Sequence, residues 1–329
     1  MIEELAKNIY RIGVPLPGNP LKELNSYFIR GSKSDLLIDT GFRCKDCEDA
    51  LRAGLQELGS DPKRRDVLIT HVHADHSGMA DLFVGPERRI YMSRVDMDYD
   101  WKILYSDIEE RKKRRYYSEG FPRDLIRAVE AINPATQMAL PNINSAFTPL
   151  WDGDIVYAGD YRLKTIFVPG HTPGNCMFWL EELGIMFSGD HVLFDITPNI
   201  TRWEDMDDAL GNYLSGLKKV KDYPVRMTLP GHRKTGNYRE RIEQLLRHHE
   251  RRLAETKSII ENGPGQTAFE IASQMKWRIR SDSWETFPLV QKWFAVGECL
   301  SHLDYLRKRG EITRTMKGGL WYNYISDEI

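Results

Sequence analysis

The chain has 329 residues, 41% hydrophobic and 29% charged, with 46 Lys and Arg against 48 Asp and Glu for a net charge of −2. That length supplies one large or two unequal domains with a buried core, and the composition is that of a folded globular protein. The near-neutral charge gives no general attraction to nucleic acid or an anionic membrane, no apolar run reaches the roughly 18 residues a bilayer span needs, and Cys44, Cys47, Cys176 and Cys299 are too few and scattered for a disulfide framework.

Met1–Tyr10 carries Glu3, Glu4 and Lys7 and lacks the apolar core of a secretory signal, so a cytoplasmic protein is expected. Residues 8–14, 24–30 and 35–39 read as strands, separated by the 15–20 turn cluster and Gly31-Ser32. Residues 44–58 read as a helix, with Ala50, Leu51, Leu55 and Leu58 at helical spacing. Cys44-Lys45-Asp46-Cys47 at its start has no partner pair, and two thiols opening a helix is the simpler account.

The stretch Thr70-His71-Val72-His73-Ala74-Asp75-His76 follows the apolar run Val67-Leu68-Ile69, which reads as a buried strand. Three of the nine histidines fall in this window with an aspartate among them. His71 and His73, two apart in an extended segment, point to the same side, while Asp75 and His76 come as the chain turns into a helix over 77–83. Imidazole and carboxylate donors without thiolate suit zinc, iron or manganese, and a set lacking cysteine favours catalysis over a closed structural site.

Residues 89–92 read as a further strand, and 96–144 as a mainly helical insertion over the active-site side. Its aromatics, among them Trp101, Tyr105, Tyr116, Tyr117 and Phe121, would either line a substrate pocket or hold the insertion in place. The basic run 111–115 follows Glu109-Glu110 and reads as a solvated helix face. Segments 154–156, 161–167, 176–180 and 185–188 read as a second sheet, 207–220 as a helix and 226–229 as a short strand. A long charged helix follows over 238–262, with His248 and His249 expected on its solvated surface. Gly263-Pro264-Gly265 breaks the chain, and two helices (267–274 and 288–309) and a hairpin turning at Lys317-Gly318-Gly319 complete it.

The sequence His71-x-His73-x-Asp75-His76 resembles the signature of the metallo-β-lactamase-fold hydrolase superfamily. Further segments resemble that family's pattern in order: Pro169-Gly170-His171-Thr172-Pro173-Gly174, Phe187-Ser188-Gly189-Asp190, Leu229-Pro230-Gly231-His232, and earlier Leu36-Leu37-Ile38-Asp39-Thr40-Gly41. The resemblance covers about residues 8 to 235. It implies an α/β fold, the αββα four-layer metallo-β-lactamase sandwich, with a catalytic domain over 1–237 that contains the 96–144 cap. A connecting helix over 238–262 and a domain over 263–329 that resembles a small winged helix would follow.

The resemblance also implies the site. His71, His73 and His171 would bind one metal, and Asp75, His76 and His232 a second, with Asp190 bridging. Two divalent ions are expected, zinc first, with iron or manganese open. A metal-bridging hydroxide would attack a carbonyl, Asp75 would shuttle its proton, and Asp39 would accept the distal N–H of a ligand histidine. His191 is a neighbour of the site only. The expected function is hydrolysis of a small-molecule carbonyl ester, a thioester or a lactone. An RNA or phosphodiester hydrolase, a mononuclear iron persulfide dioxygenase and a binding module without metal are the alternatives. The expected partner is a small-molecule substrate rather than nucleic acid or membrane, and a homodimer is compatible with the sequence.

Overall fold

The computed structural model describes residues 2–132, 138–144, 146–278, 281 and 283–326. Part of the expected insertion (133–137) and the last three residues of the tail (327–329) lie outside them. By its contacts the chain divides into two compact units: Met1–Tyr105 with Pro134–Pro198 and Gly216–Ile242, and Ser106–Asn133 with Asn199–Ser215 and Glu243–Ile329.

The first unit is an α/β sandwich of two sheets. Seven strands stand in sequence order in one sheet: β1 (Ile2–Ala6), β2 (Ile9–Pro15), β3 (Glu23–Ile29), β4 (Asp35–Ile38), β5 (Arg65–Leu68), β6 (Ile90–Ser93) and β7 (Phe147–Leu150). The pairs from β1 to β4 are antiparallel and those from β4 to β7 parallel. The second sheet runs β12-β11-β10-β9-β8, made of β8 (Ile155–Ala158), β9 (Tyr161–Phe167), β10 (Cys176–Leu180), β11 (Ile185–Gly189) and β12 (Met227–Pro230). Strand β7 was not expected from the sequence, and neither was β1. Glu3 and Glu4 mask its pattern, and it sits at a sheet edge, where charged side chains are at home.

Alternation along each strand sends one set of side chains into the space between the sheets. Ile9, Tyr27, Ile29, Leu36, Ile38 and Leu68 from the first sheet meet Val156, Leu163, Phe178, Leu180, Phe187 and Leu229 from the second in one buried cluster. The ring of Tyr27 meets Phe187 edge-on at 5.4 Å. On the far side of the first sheet lies helix α1 (Lys45–Glu57), which buries Cys47, Leu51, Gly54 and Leu55. A Cβ on Gly54 would come within 2.6 Å of Ile12 on β2, so glycine permits this close helix–sheet approach.

At the carboxyl ends of β5, β11 and β12 the two sheets are joined by hydrogen bonds. Cys176 N–H donates to Thr70 O at 2.9 Å and Asn25 N–H to Gly231 O at 2.7 Å, while the Tyr27 hydroxyl donates to Pro230 O at 2.7 Å. The helix expected over 77–83 is instead two short turns, α2 (Ala74–Ser77) and α3 (Ala80–Phe83). The break falls at Gly78, where a Cβ would meet the carbonyl oxygens of Ala74, Met138 and Gly41 within 3 Å. Helix α4 (Arg94–Tyr105) follows directly on β6.

The second unit has its own core. Helices α5 (Ile108–Ser118) and α6 (Arg123–Ile132) pack with the helix Leu289–Lys308 around Tyr116, Phe121, Ile126, Trp293, Val296 and Leu300. Tyr116 and Trp293 stack with ring centroids 3.6 Å apart and 8° between planes. The two aromatics Tyr116 and Phe121 are therefore buried holding this unit together, while Trp101 and Tyr105 on α4 are exposed. The segment read as one insertion is thus split, with α4 in the first unit and α5 and α6 in the second. Each basic residue of 111–115 pairs with an acid: Arg111 with Asp205, Lys112 with Glu109, Lys113 with Glu110 and Glu130, Arg114 with Asp107 and Arg115 with Glu204.

His249 was expected on a solvated surface and is instead fully buried. Its Nδ1 lies 3.3 Å from His302 Nε2 and its ring meets Tyr213, because that face of the long helix Tyr238–Asn262 packs inside the second unit. The tail consists of the helices Ala268–Gln274 and Leu289–Lys308 and an antiparallel hairpin of Ile312–Lys317 with Leu320–Ile325. Among the described residues no helix is long and apolar enough to cross a membrane.

Phe178 is fully buried between the two sheets. Phe178→Ala should cost about 3–5 kcal/mol of stability, read as a lower urea midpoint for the transition that reports the sandwich. A midpoint equal to that of the unsubstituted chain would contradict the packing described.

Candidate metal centre

The seven residues expected at the site converge from four loops that leave the carboxyl ends of strands. The loop after β5 brings His71, His73, Asp75 and His76; the loop before β10 brings His171; Asp190 directly follows β11; and the turn after β12 brings His232. Three groups of donor atoms lie within 4.8 Å of one another: His71 with His73 and His171, His71 with His76 and Asp190, and Asp75 with His76 and His232. All seven are buried except His73, which is partly exposed.

Hydrogen bonds behind the imidazoles fix which nitrogen faces the centre. Asp39 accepts at Oδ1 from Thr70 N–H and at Oδ2 from the Thr70 hydroxyl, both at 2.8 Å, and its Oδ2 lies 2.7 Å from His76 Nδ1. His76 therefore donates at Nδ1 and turns Nε2 inward. The Thr70 hydroxyl, having given its proton to Asp39, can only accept from His71 Nδ1 at 3.0 Å, which sends His71 Nε2 inward as well. His232 Nδ1 faces the carbonyl oxygen of Glu23 at 2.9 Å and must likewise donate. Thr70, Asp96 and the Glu23 carbonyl were not singled out from the sequence. Neither hydroxyl, buried carboxylate nor main-chain oxygen carries a pattern that marks it as a partner of a residue far along the chain.

The inward nitrogens crowd one another. His71 Nε2 lies 3.1 Å from His73 Nδ1, and His76 Nε2 lies 3.2 Å from His232 Nε2. Two imidazole lone pairs at that distance repel unless a proton or a cation lies between them. Carboxylates complete the ring: Asp75 Oδ2 is 3.3 Å from His232 Nε2, and Asp190 Oδ2 is 3.5 Å from His232 Nε2 and 3.8 Å from His171 Nε2. Among the described residues the buried Asp190 Oδ1 accepts no hydrogen bond, and His76 Nε2 lies 3.6 Å from it. Five imidazoles and two carboxylates aimed inward, with ring nitrogens facing one another at 3.1 and 3.2 Å, fit divalent cations.

The electrostatics agree. Burial opposes the charged form of His76, but Asp39, Asp190 and Asp75 outweigh it and raise its pKa to about 10. Burial likewise opposes protonation of His232, and Asp190 and Asp75 again outweigh it. His71 is driven well below the usual histidine range by burial and by the neighbouring imidazoles. Burial opposes ionisation of Asp75, yet His76, His232 and His73 hold its carboxyl far below the usual carboxylate range. His191, the residue after Asp190, is buried and lowered to about 3 by burial and by His171. Gly216 packs against its ring, and it stands in none of the three donor groups.

A profile of the Metallo-beta-lactamase superfamily matches residues 22–232. The chain is 26% identical over 298 residues to a beta-lactamase-like protein 2 homolog of Caenorhabditis elegans, covering 88% of this chain and 85% of that one. It is 29% identical over 218 residues to an acyl-coenzyme A thioesterase of Homo sapiens, covering 63% of this chain and 72% of that one. Among solved structures it superposes on a metallo-beta-lactamase family protein from Thermus thermophilus with a TM-score of 0.82 at 27% identity, covering 98% of this chain and 100% of that one.

With its pKa raised to about 10 in the folded, metal-free chain, His76 retains at neutral pH a proton that an incoming cation must displace. Zinc uptake by the metal-free protein should therefore release protons, and apparent affinity should fall as the pH is lowered. Calorimetric titrations in buffers of different ionisation enthalpy measure this directly. An uptake enthalpy independent of buffer would contradict it.

Proposed function

The chain belongs to the metallo-beta-lactamase superfamily, and from that premise we propose that it is a dinuclear metal-dependent hydrolase of a small-molecule thioester. The observation that carries this reading is the convergence of the seven donors, with the outward nitrogens of His71, His76 and His232 already engaged behind them. Thioester as substrate class is supported by the acyl-coenzyme A thioesterase among the relatives.

In this reading His71, His73 and His171 would hold one ion and Asp75, His76 and His232 the second, with Asp190 as a further carboxylate donor. When bound, two such ions supply a water nucleophile at neutral pH, polarise a carbonyl oxygen and stabilise a departing thiolate. Zinc suits imidazole and carboxylate donors, and iron and manganese are bound by the same set.

The remaining work falls to the chain. Asp75, buried beside His76 and His232, takes the proton given up as water oxygen bonds to the carbonyl carbon. That proton passes to sulfur as the C–S bond breaks, leaving a carboxylic acid and a thiol. Asp39 fixes the tautomer of His76 and, through Thr70, that of His71, so the donor atoms need no rearrangement. The helix, helix, hairpin order after residue 263 supports reading the tail as winged-helix-like.

Metal-reconstituted protein should release free thiol from an acyl-coenzyme A, and Asp190→Ala should reduce turnover to background while leaving the circular dichroism spectrum unchanged. An acyl-homoserine lactone assayed alongside tests the substrate class. Lactone turnover without thioester turnover, or turnover of neither, would overturn the thioester reading; wild-type-like rates in Asp190→Ala would overturn the dinuclear one.

A further inference from the structure

The loops that carry His71, His73 and His171 are anchored by one carboxylate outside the donor set. Asp96, at the start of α4, is fully buried. Its Oδ2 accepts from Val72 N–H at 2.9 Å and from the Thr172 hydroxyl at 2.7 Å, and its Oδ1 accepts from Gly174 N–H at 2.5 Å. Val72 lies between His71 and His73 in sequence, and Thr172 directly follows His171. A Cβ on Gly174 would collide with Ser93 Oγ and Asp96 N, so this loop is seated hard against the helix start.

We propose that Asp96 is the positioning residue of the three-histidine end of the centre, tying the first and second ligand loops at a fixed separation so that His71, His73 and His171 converge on one ion. The Asp75, His76 and His232 end has separate supports, Asp39 behind His76 and the Glu23 carbonyl behind His232. Asp39 reaches the three-histidine end only through Thr70 and His71. The two ends are thus set by different side chains, which makes them separable by substitution. This inference rests on the dinuclear reading for its expected stoichiometry.

Three donors converge on Asp96, and a carboxylate is acceptor-only. Asp96→Asn preserves shape but replaces one acceptor oxygen with a donor NH2, which must then face an N–H or hydroxyl already donating. Thr172→Val removes a single donor and leaves the carboxylate in place.

The test is titration of metal-free wild type, Asp96→Asn and Thr172→Val with cobalt(II), followed by its visible absorption, together with the unfolding midpoint of each metal-free protein. Wild type should take two equivalents. Asp96→Asn should keep one at wild-type affinity and weaken the other by about 10- to 100-fold, with Thr172→Val weakening the same equivalent to a smaller degree. Wild-type affinity for both equivalents in a folded variant would overturn the inference, as would equal weakening of both. If Asp96→Asn does not fold, Thr172→Val decides. If wild type takes a single equivalent, the dinuclear reading fails, and the inference then stands or falls on whether Asp96→Asn weakens that one.

Discussion

The carboxylate of Asp39 is the constraint on which the strand end at Thr70 and the His76 side of the centre depend. It sits past the end of β4 with φ of +59°, a left-handed conformation that aspartate tolerates better than most residues. From there it accepts from the Thr70 main chain and hydroxyl and faces His76 Nδ1, so one buried acid orients the strand end, its hydroxyl and an imidazole together. Each of these bonds is made in a dry environment, where an unmet partner would cost far more than on the surface. The inward face of the cluster is the counterpart: its ring nitrogens lie 3.1 and 3.2 Å apart, a crowding that a bound cation would relieve.

The sandwich makes this arrangement possible by being two sheets rather than one. Apolar packing between the sheets holds them face to face, but packing is not directional. The main-chain bonds from Cys176 to Thr70 and from Asn25 to Gly231, with the Tyr27 hydroxyl on Pro230, supply the direction at the end where the ligands leave. Loops from both sheets consequently meet with donor atoms a few ångströms apart. The second unit is built differently, around stacked aromatics and helix faces, and draws its helices from three separate stretches of chain.

Local sequence made some of this legible and hid the rest. The strands of the sandwich other than β1 and β7, the long charged helix and the tail hairpin followed from alternation, helical spacing and glycine breaks. Strand β1 did not, because two glutamates at an edge mask the period. The helix after His76 did not form as one piece, and at the break Gly78 lies against three carbonyl oxygens, two of them, Gly41 and Met138, from loops elsewhere in the chain. His249 could not be read as buried, since a histidine beside arginines on a polar helix looks solvated until its tertiary neighbours, Tyr213 and His302, are known. The aromatics between 96 and 144 announced burial somewhere but not where.

The sequence by itself determined the chemistry of the donors and their order along the chain: His71, His73, Asp75 and His76 together, then His171, Asp190 and His232 in motifs that resemble one superfamily. Tertiary structure alone decided which nitrogen of His76 and of His232 faces inward, because that depends on partners distant in sequence. Asp39 lies 37 residues from His76, the Glu23 carbonyl 209 from His232, and Thr172 is 76 from Asp96. A motif records residues that must be near one another along the chain or recur in order; a hydrogen bond records only nearness in space. The division of the aromatic-rich stretch between two units was decided in the same way. Its helices are drawn by their apolar faces, and which faces meet is settled only when the whole chain has folded.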